Sequence, residues 1–160
     1  MPAMAQGLID VHHHMLPKVY TDTLADRLGT QGLFASAEWT AARSLESMDR
    51  NGIGVSITSI SSPGFWFGNS EETRILVRAC NDFAAALRRD HPTRFGMFAH
   101  LPLPDIDASL REIEYAFDVL SADGIALVTH YDAKYPGDEH FEPVFKELNQ
   151  IGRASCRERV

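Results

Sequence analysis

Two histidines separated by one residue, His12 and His14, close the first apolar segment of the chain, Gly7-Leu8-Ile9-Asp10-Val11-His12-His13-His14. Residues two apart on a β-strand emerge on one face, roughly 7 Å apart along the backbone, so both imidazoles can reach one divalent ion. His13 points the other way and cannot join them without distortion. A bare H-x-H is a common pattern, and three polar residues ending a strand, hydrogen-bonded and without metal, would read the same. Of the other histidines, His100 and His130 fall near the C-terminal ends of later predicted strands, where they would line a substrate pocket or pack structurally. His91, before Pro92 at a predicted helix end, suits the negative end of a helix dipole, and His140 is expected in solvent. Phe65-Trp66-Phe67 could close over an aromatic substrate or simply pack as a loop.

These side chains need a frame, and the hydropathy pattern supplies one. Gly7–His14 reads as a short buried strand ended by Met15-Leu16-Pro17. A short helix is predicted over Tyr20–Leu28, a loop with Gly29 and Gly32 follows, and a helix over Thr40–Arg50 turns Ala41, Leu45 and Met48 to one side. Asn51-Gly52 stops it, and Ile53–Ile60 is a β-branched strand ended by Ser61-Ser62-Pro63-Gly64. Asn69 is placed to cap a long helix with Glu72 three residues on, and Ile75, Ala79, Phe83 and Leu87 recur along it, backed by Leu76, Cys80 and Ala84. Arg94–Leu101 is the third strand. Asp107 would cap the next helix, with Leu110, Ile113, Phe117 and Leu120 as its stripe. Ile125–His130 is the fourth strand, and Glu142–Leu148 begins a fourth helix. Alternating strands and helices, with strands apolar nearly throughout, describe a parallel sheet covered by helices. No G-x-G-x-x-G follows the first strand, yet spacing alone leaves half a barrel and a small doubly wound sheet both open. The histidines at strand one favour the barrel, which keeps its chemistry at strand C-termini.

The chain has 160 residues, 44% hydrophobic, with a net charge of −7. That balance and the lack of a basic stripe argue against nucleic acid. No apolar run of membrane-spanning length is present, no secretory leader is expected, and the two cysteines, Cys80 and Cys156, have no metal or redox spacing. A reducing cytoplasm fits. Cys80 is expected as a small buried hydrophobe.

The stretch Ile9-Asp10-Val11-His12-His13-His14-Met15-Leu16-Pro17 resembles the opening of the amidohydrolase-related family that includes aminocarboxymuconate-semialdehyde decarboxylase. The likeness continues through Met48-Asp49-Arg50-Asn51-Gly52-Ile53, His91-Pro92-Thr93-Arg94-Phe95-Gly96, Leu101-Pro102, Asp123-Gly124-Ile125, Thr129-His130-Tyr131 and Phe141-Glu142-Pro143-Val144-Phe145. It covers the chain from about Leu8 to Asn149. Ser59-Ile60-Ser61-Ser62-Pro63-Gly64 is similar to the branch of 6-methylsalicylate decarboxylases. The resemblance implies the N-terminal half, about four βα units, of a TIM (β/α)8 barrel. It implies that His12 and His14 bind one divalent metal ion, Zn2+ or Mn2+; His100, His130 and Ser62, placed at or just after strand ends, are the candidate substrate-binding residues. A third histidine ligand, an aspartate and a proton-transferring histidine belong to strands five, eight and six. Catalytic residues are therefore expected only beyond Gln150, and none within this chain. The implied activity is non-oxidative decarboxylation of an aromatic or unsaturated carboxylic acid by a full-length, homo-oligomeric parent. Hydrolysis on the same scaffold, by a lactonase or amidohydrolase, is the rival reading. For these 160 residues alone, a non-catalytic metal-binding fragment is the better description.

The last ten residues, Ile151-Gly152-Arg153-Ala154-Ser155-Cys156-Arg157-Glu158-Arg159-Val160, have neither a helical apolar face nor strand alternation. They read as the translation of a common short-read sequencing adapter whose next triplet is a stop. Native sequence is therefore expected to end at Asn149 or Gln150, with a non-native tail over 151–160. A half barrel closed there would leave strands one and four as open edges.

Overall fold

A computed structural model describes residues 7–29 and 38–152 together with the backbone of 155–157. The glycine-containing loop expected around Gly32 lies outside the described residues. Five strands form one parallel sheet in the order β1 (Leu8–His14), β2 (Ile53–Ser59), β3 (Phe95–Ala99), β4 (Gly124–Leu127) and β5 (Ser155–Arg157). The strand order follows the chain order without reversal, and this decides the question that spacing left open. A doubly wound sheet reverses direction at its switch point, whereas consecutive parallel neighbours joined by right-handed crossovers put every helix on one face and curl the other inward. The sheet is a half-barrel.

Five helices cover the outer face: α1 (Lys18–Leu28), α2 (Ala41–Arg50), α3 (Ser70–Asp90), α4 (Ile106–Glu114, continued by a π-helical turn over Tyr115–Val119) and α5 (Glu142–Ile151). The starts of α2, α3 and α4 are set by side-chain caps that satisfy free amides of the first turn. Thr40 accepts from the Arg43 amide, Asn69 from Glu72, and Asp105 from Ala108. The cap of α4 is thus Asp105, not Asp107; both aspartates precede the stripe, and the one nearer Pro104 has the extended backbone a cap needs. Glu72 turns its carboxylate to Arg27 of α1. Helix α5 does not break at Gln150, where the pattern of the tail changes. It runs one residue further because Ile151 packs against the core, and Gly152, with φ of 66°, supplies the left-handed stop.

The core lies between sheet and helices. All five residues of β3 are buried, and Met97, Ile125, Val77, Cys80 and Ala116 are fully enclosed. Burial raises the Cys80 thiol to about 12, as befits a small apolar side chain. On α3 the buried row is Leu76, Cys80, Ala84 and Leu87, while Ile75 is 60% exposed, so the inward face is turned one residue from the row expected. Arg94 joins β3 to the α2–β2 step, donating to the Gly54 carbonyl at 3.0 Å and pairing with Asp49 at 2.6 Å. Asp123 accepts from the Met97 amide at 2.9 Å beside Gly96, where a Cβ would meet its carboxylate at 2.7 Å.

Two expectations fail at the sheet edges. β1 is not buried: Leu8 is 71% exposed and Ile9 66%, because β1 is an edge strand with β2 as its only neighbour among the described residues. The edge of β4 is not open, since Ser155–Arg157 pairs with it in parallel. A free strand edge bonds through its backbone and accepts any extended segment, so side-chain alternation is not required of the tail. β4 itself ends at Leu127, three residues short of the strand expected.

Ser56 on β2 is fully buried, and its hydroxyl has no hydrogen-bond partner among the described residues. Removing an unsatisfied buried hydroxyl is neutral or favourable, so Ser56→Ala should change unfolding free energy by between zero and about +1 kcal/mol in a urea titration. A loss greater than about 1 kcal/mol would mean that this hydroxyl is bonded in solution.

Candidate metal centre

His12 and His14 lie on the inner face at the C-terminal end of β1. Their Nε2 atoms are 3.1 Å apart and their rings meet edge to face, with centroids 4.6 Å apart. An ion about 2.1 Å from each nitrogen would meet them at an angle of about 95°, within the range divalent centres adopt. The donor set fits such an ion: two imidazoles converge through the same nitrogen type. The other nitrogen of His14, Nδ1, lies 3.4 Å from Ser59 Oγ at the end of β2. A metal-binding histidine is commonly held this way by its second nitrogen, which fixes the ring and leaves Nε2 for the ion. Among the described residues, no group of three or more His, Cys, Asp and Glu side chains could hold a metal.

His13 faces the helices, as the alternation predicts. Its ring lies between Asp10 Oδ2 at 3.3 Å and Ser44 Oγ on α2 at 3.0 Å.

His100 follows β3 and is buried beneath the pair. Its Nε2 accepts the Ile60 amide at 2.8 Å, which leaves the ring proton on Nδ1. Burial, with a smaller contribution from nearby His14, lowers its pKa to about 3, so the ring is neutral at neutral pH. Phe65 lies against it, centroids 4.8 Å apart, and also against Tyr20 at 5.4 Å. Phe65 is thus a packed residue of the β2–α3 loop. Ser62 is half-buried in that loop, and His130 is exposed after β4 with its ring tilted against Tyr135. The structure brings His12, His14 and His100 into one neighbourhood. It records no contact that carries Ser62 or His130 there. His91 caps α3 through its backbone and edges onto Phe95, and exposed His140 has Nε2 3.0 Å from the Pro104 carbonyl.

Ser59 and Asn81 are not legible as site residues in the sequence. Asn81 on α3 bonds both backbone groups of His100, its Oδ1 accepting from the amide at 2.9 Å and its Nδ2 donating to the carbonyl at 2.9 Å. Nδ2 also donates to buried Glu112 at 2.8 Å, and Glu112 holds Arg78 through both carboxylate oxygens. This pairing raises the Arg78 pKa above its usual value, chiefly through the hydrogen bond.

The amidohydrolase family profile matches residues 9–154, nearly the whole chain, and so extends past Gln150. The chain belongs to the amidohydrolase family. Among curated members it is 38% identical over 148 residues to decarboxylase yanB of Aspergillus niger, covering 89% of this chain and 40% of that protein. It is 36% identical to the 6-methylsalicylic acid decarboxylase acuB of Aspergillus aculeatus, covering 89% and 44%. Among solved structures, an amidohydrolase II superposes with a TM-score of 0.88 at 32% identity, over 94% of this chain and 49% of that one. Decarboxylases that share the fold at 23–24% identity have been crystallised with manganese. This amidohydrolase chain spans less than half the length of these relatives. No helix among its described residues is long and apolar enough to cross a membrane.

Proposed function

We propose that the chain forms the metal-binding half of a non-oxidative decarboxylase acting on a small aromatic carboxylic acid of the 6-methylsalicylate type. One observation carries the reading: two imidazole nitrogens on the inner face of β1 converge to 3.1 Å. His12 and His14 would hold the cation through Nε2, with Ser59 orienting His14. Imidazole suits zinc, and oxygen ligands added from substrate and water suit manganese, the ion held by the related structures. A bound ion would supply Lewis-acid stabilisation of the negative charge on the substrate. His100, neutral and anchored, would wall the site with Phe65, and His130 and Ser62, on the segments that follow β4 and β2, are the residues proposed to contact the acid. No side chain in this set is assigned the proton transfer to the ring carbon, a role that falls to the part of the barrel following Gln150. The 160-residue chain alone is accordingly expected to bind metal without turnover. The decarboxylase names of its relatives favour carbon–carbon cleavage over hydrolysis. The buried thiol of Cys80 suits a reducing cytoplasm.

Titration of the metal-free chain with Co2+, followed by its visible absorption, is expected to give one site, weakened at least tenfold by His14→Ala. In a protein carrying the whole barrel, 6-methylsalicylate should yield one carbon dioxide per decarboxylated phenol. Indifference of Co2+ binding to both His12→Ala and His14→Ala would end the metal assignment, and a whole-barrel protein that leaves aromatic acids intact but hydrolyses a lactone or amide would end the decarboxylase reading.

A further inference from the structure

The pairing of β1 with β2 is irregular where the metal pair begins. Ile9 and Asp10 lie opposite Val55 and Ser56, and the ladder resumes with His13 and His14 opposite Thr58 and Ser59. Between these points β1 has two residues, Val11 and His12, where β2 has only Ile57. This is a β-bulge. Its consequence is specific. Had the pairing continued unbroken from Asp10 and Ser56, His12 would lie opposite Thr58 and His13 opposite Ser59. His13 alone would then face inward, and the other two rings would turn against α2. The bulge selects the pair over the single ring.

A bulge orphans backbone groups, and here a side chain takes one of them. Asp10 Oδ1 accepts the His12 amide at 2.9 Å. Because the bulge resets the alternation, Asp10 and His13 lie on the same side, with Asp10 Oδ2 3.3 Å from His13 Nδ1. His13 Nε2 is 3.0 Å from the buried hydroxyl of Ser44, which fastens the strand end to α2. In a neutral ring, the carboxylate places the proton on Nδ1 and leaves Nε2 to accept from Ser44. β1 is also an edge strand, so no second neighbour among the described residues holds its register.

We propose that Asp10 is the positioning residue of the metal pair: one carboxylate oxygen pins the bulged amide of His12, and the other orients His13, which locks the strand end onto Ser44. The role in metal binding rests on the proposed function; the clamp itself is a property of the metal-free chain. The test compares wild type, Asp10→Ala and Ser44→Ala as 15N-labelled, metal-free protein, then titrates each with Co2+. Asp10→Ala should speed exchange of the His12 amide at least tenfold and weaken Co2+ binding about tenfold or more. In Asp10→Ala the His13 ring should lose the Nδ1–H tautomer expected in wild type, whereas Ser44→Ala, which keeps the carboxylate, should retain that tautomer and lose only the hydrogen bond to Nε2. Asp10→Asn, whose Oδ1 can still take the amide, should restore protection of His12 without restoring the His13 tautomer. Wild-type exchange at His12 in Asp10→Ala would overturn the clamp, as would unchanged Co2+ affinity accompanied only by a lower thermal midpoint. If Asp10→Ala does not fold, Asp10→Asn decides by the His13 tautomer and Ser44→Ala by the loss of the Nε2 hydrogen bond with the tautomer kept. If wild type binds no Co2+, the metal reading fails, and the exchange and tautomer measurements still decide the clamp.

Discussion

Replacing Asn81 with alanine is expected to cost roughly 3–5 kcal/mol of folding stability, a large fraction of what a domain of this size possesses. Asn81 is 1% exposed and makes three buried hydrogen bonds, two to the backbone of His100 and one to Glu112. Its removal strands the His100 amide and carbonyl and takes one of two donors from Glu112 Oε1, and each unsatisfied buried group costs about 1–3 kcal/mol. Arg78 is 41% exposed and keeps its own bonds to Glu112, so the ion pair offsets little of the loss. Asn81→Asp should be no milder. Its carboxylate could still accept from the His100 amide, but it has no donor for the carbonyl and would face Glu112 with like charge. Urea unfolding of the three proteins, compared at constant slope, gives the answer. A loss below about 1 kcal/mol in Asn81→Ala would show that this network does not hold the β3 exit in place.

The parts of this fold that can be read from the sequence are those governed by local periodicity and local chemistry. The stripes of α2 and α4, the Asn69 cap, the turn at Asn51-Gly52 and the H-x-H placement all depend on residues within a few positions of one another. What the sequence leaves open depends on distance along the chain. Half-barrel and doubly wound sheet share the same βα rhythm, and only the pairing order β1-β2-β3-β4 separates them. Ser59 reaches His14 across 45 positions, Ser44 reaches His13 across 31, and Asn81 reaches Glu112 across 31; nothing near any of them marks its partner. The bulge is the subtler case. Alternation correctly puts His12 and His14 on one face, but that rule cannot say which face, since a one-residue change in register exchanges the pair for His13. The exposure of Leu8 and Ile9 escapes the pattern for a related reason: an apolar run shows that a strand can be buried, not that a neighbour lies beside it.

Acid should unfold this protein in a way that His100→Gln relieves. The unfolded chain holds His100 near the ordinary value of 6.5, while burial holds it at about 3 in the fold. Above pH 6.5 both states carry a neutral ring and the residue adds no pH dependence. Between 6.5 and 3 the unfolded state binds a proton that the folded state refuses, so stability falls with pH by up to about 1.4 kcal/mol per unit from this group alone. By pH 4.5 the loss amounts to roughly 2–3 kcal/mol. A glutamine can still offer an oxygen to the Ile60 amide, so the fold should survive the change, and it carries no proton to take up. Contributions common to both proteins cancel when the two are compared. The informative quantity is therefore the difference in slope between wild type and His100→Gln, from urea unfolding at pH 7, 6, 5.5, 5 and 4.5. That difference should approach one proton per molecule below pH 6. Parallel stability curves for the two proteins would mean that His100 protonates as readily folded as unfolded, and that it is neither sealed from solvent nor committed to the Ile60 amide beneath the metal pair.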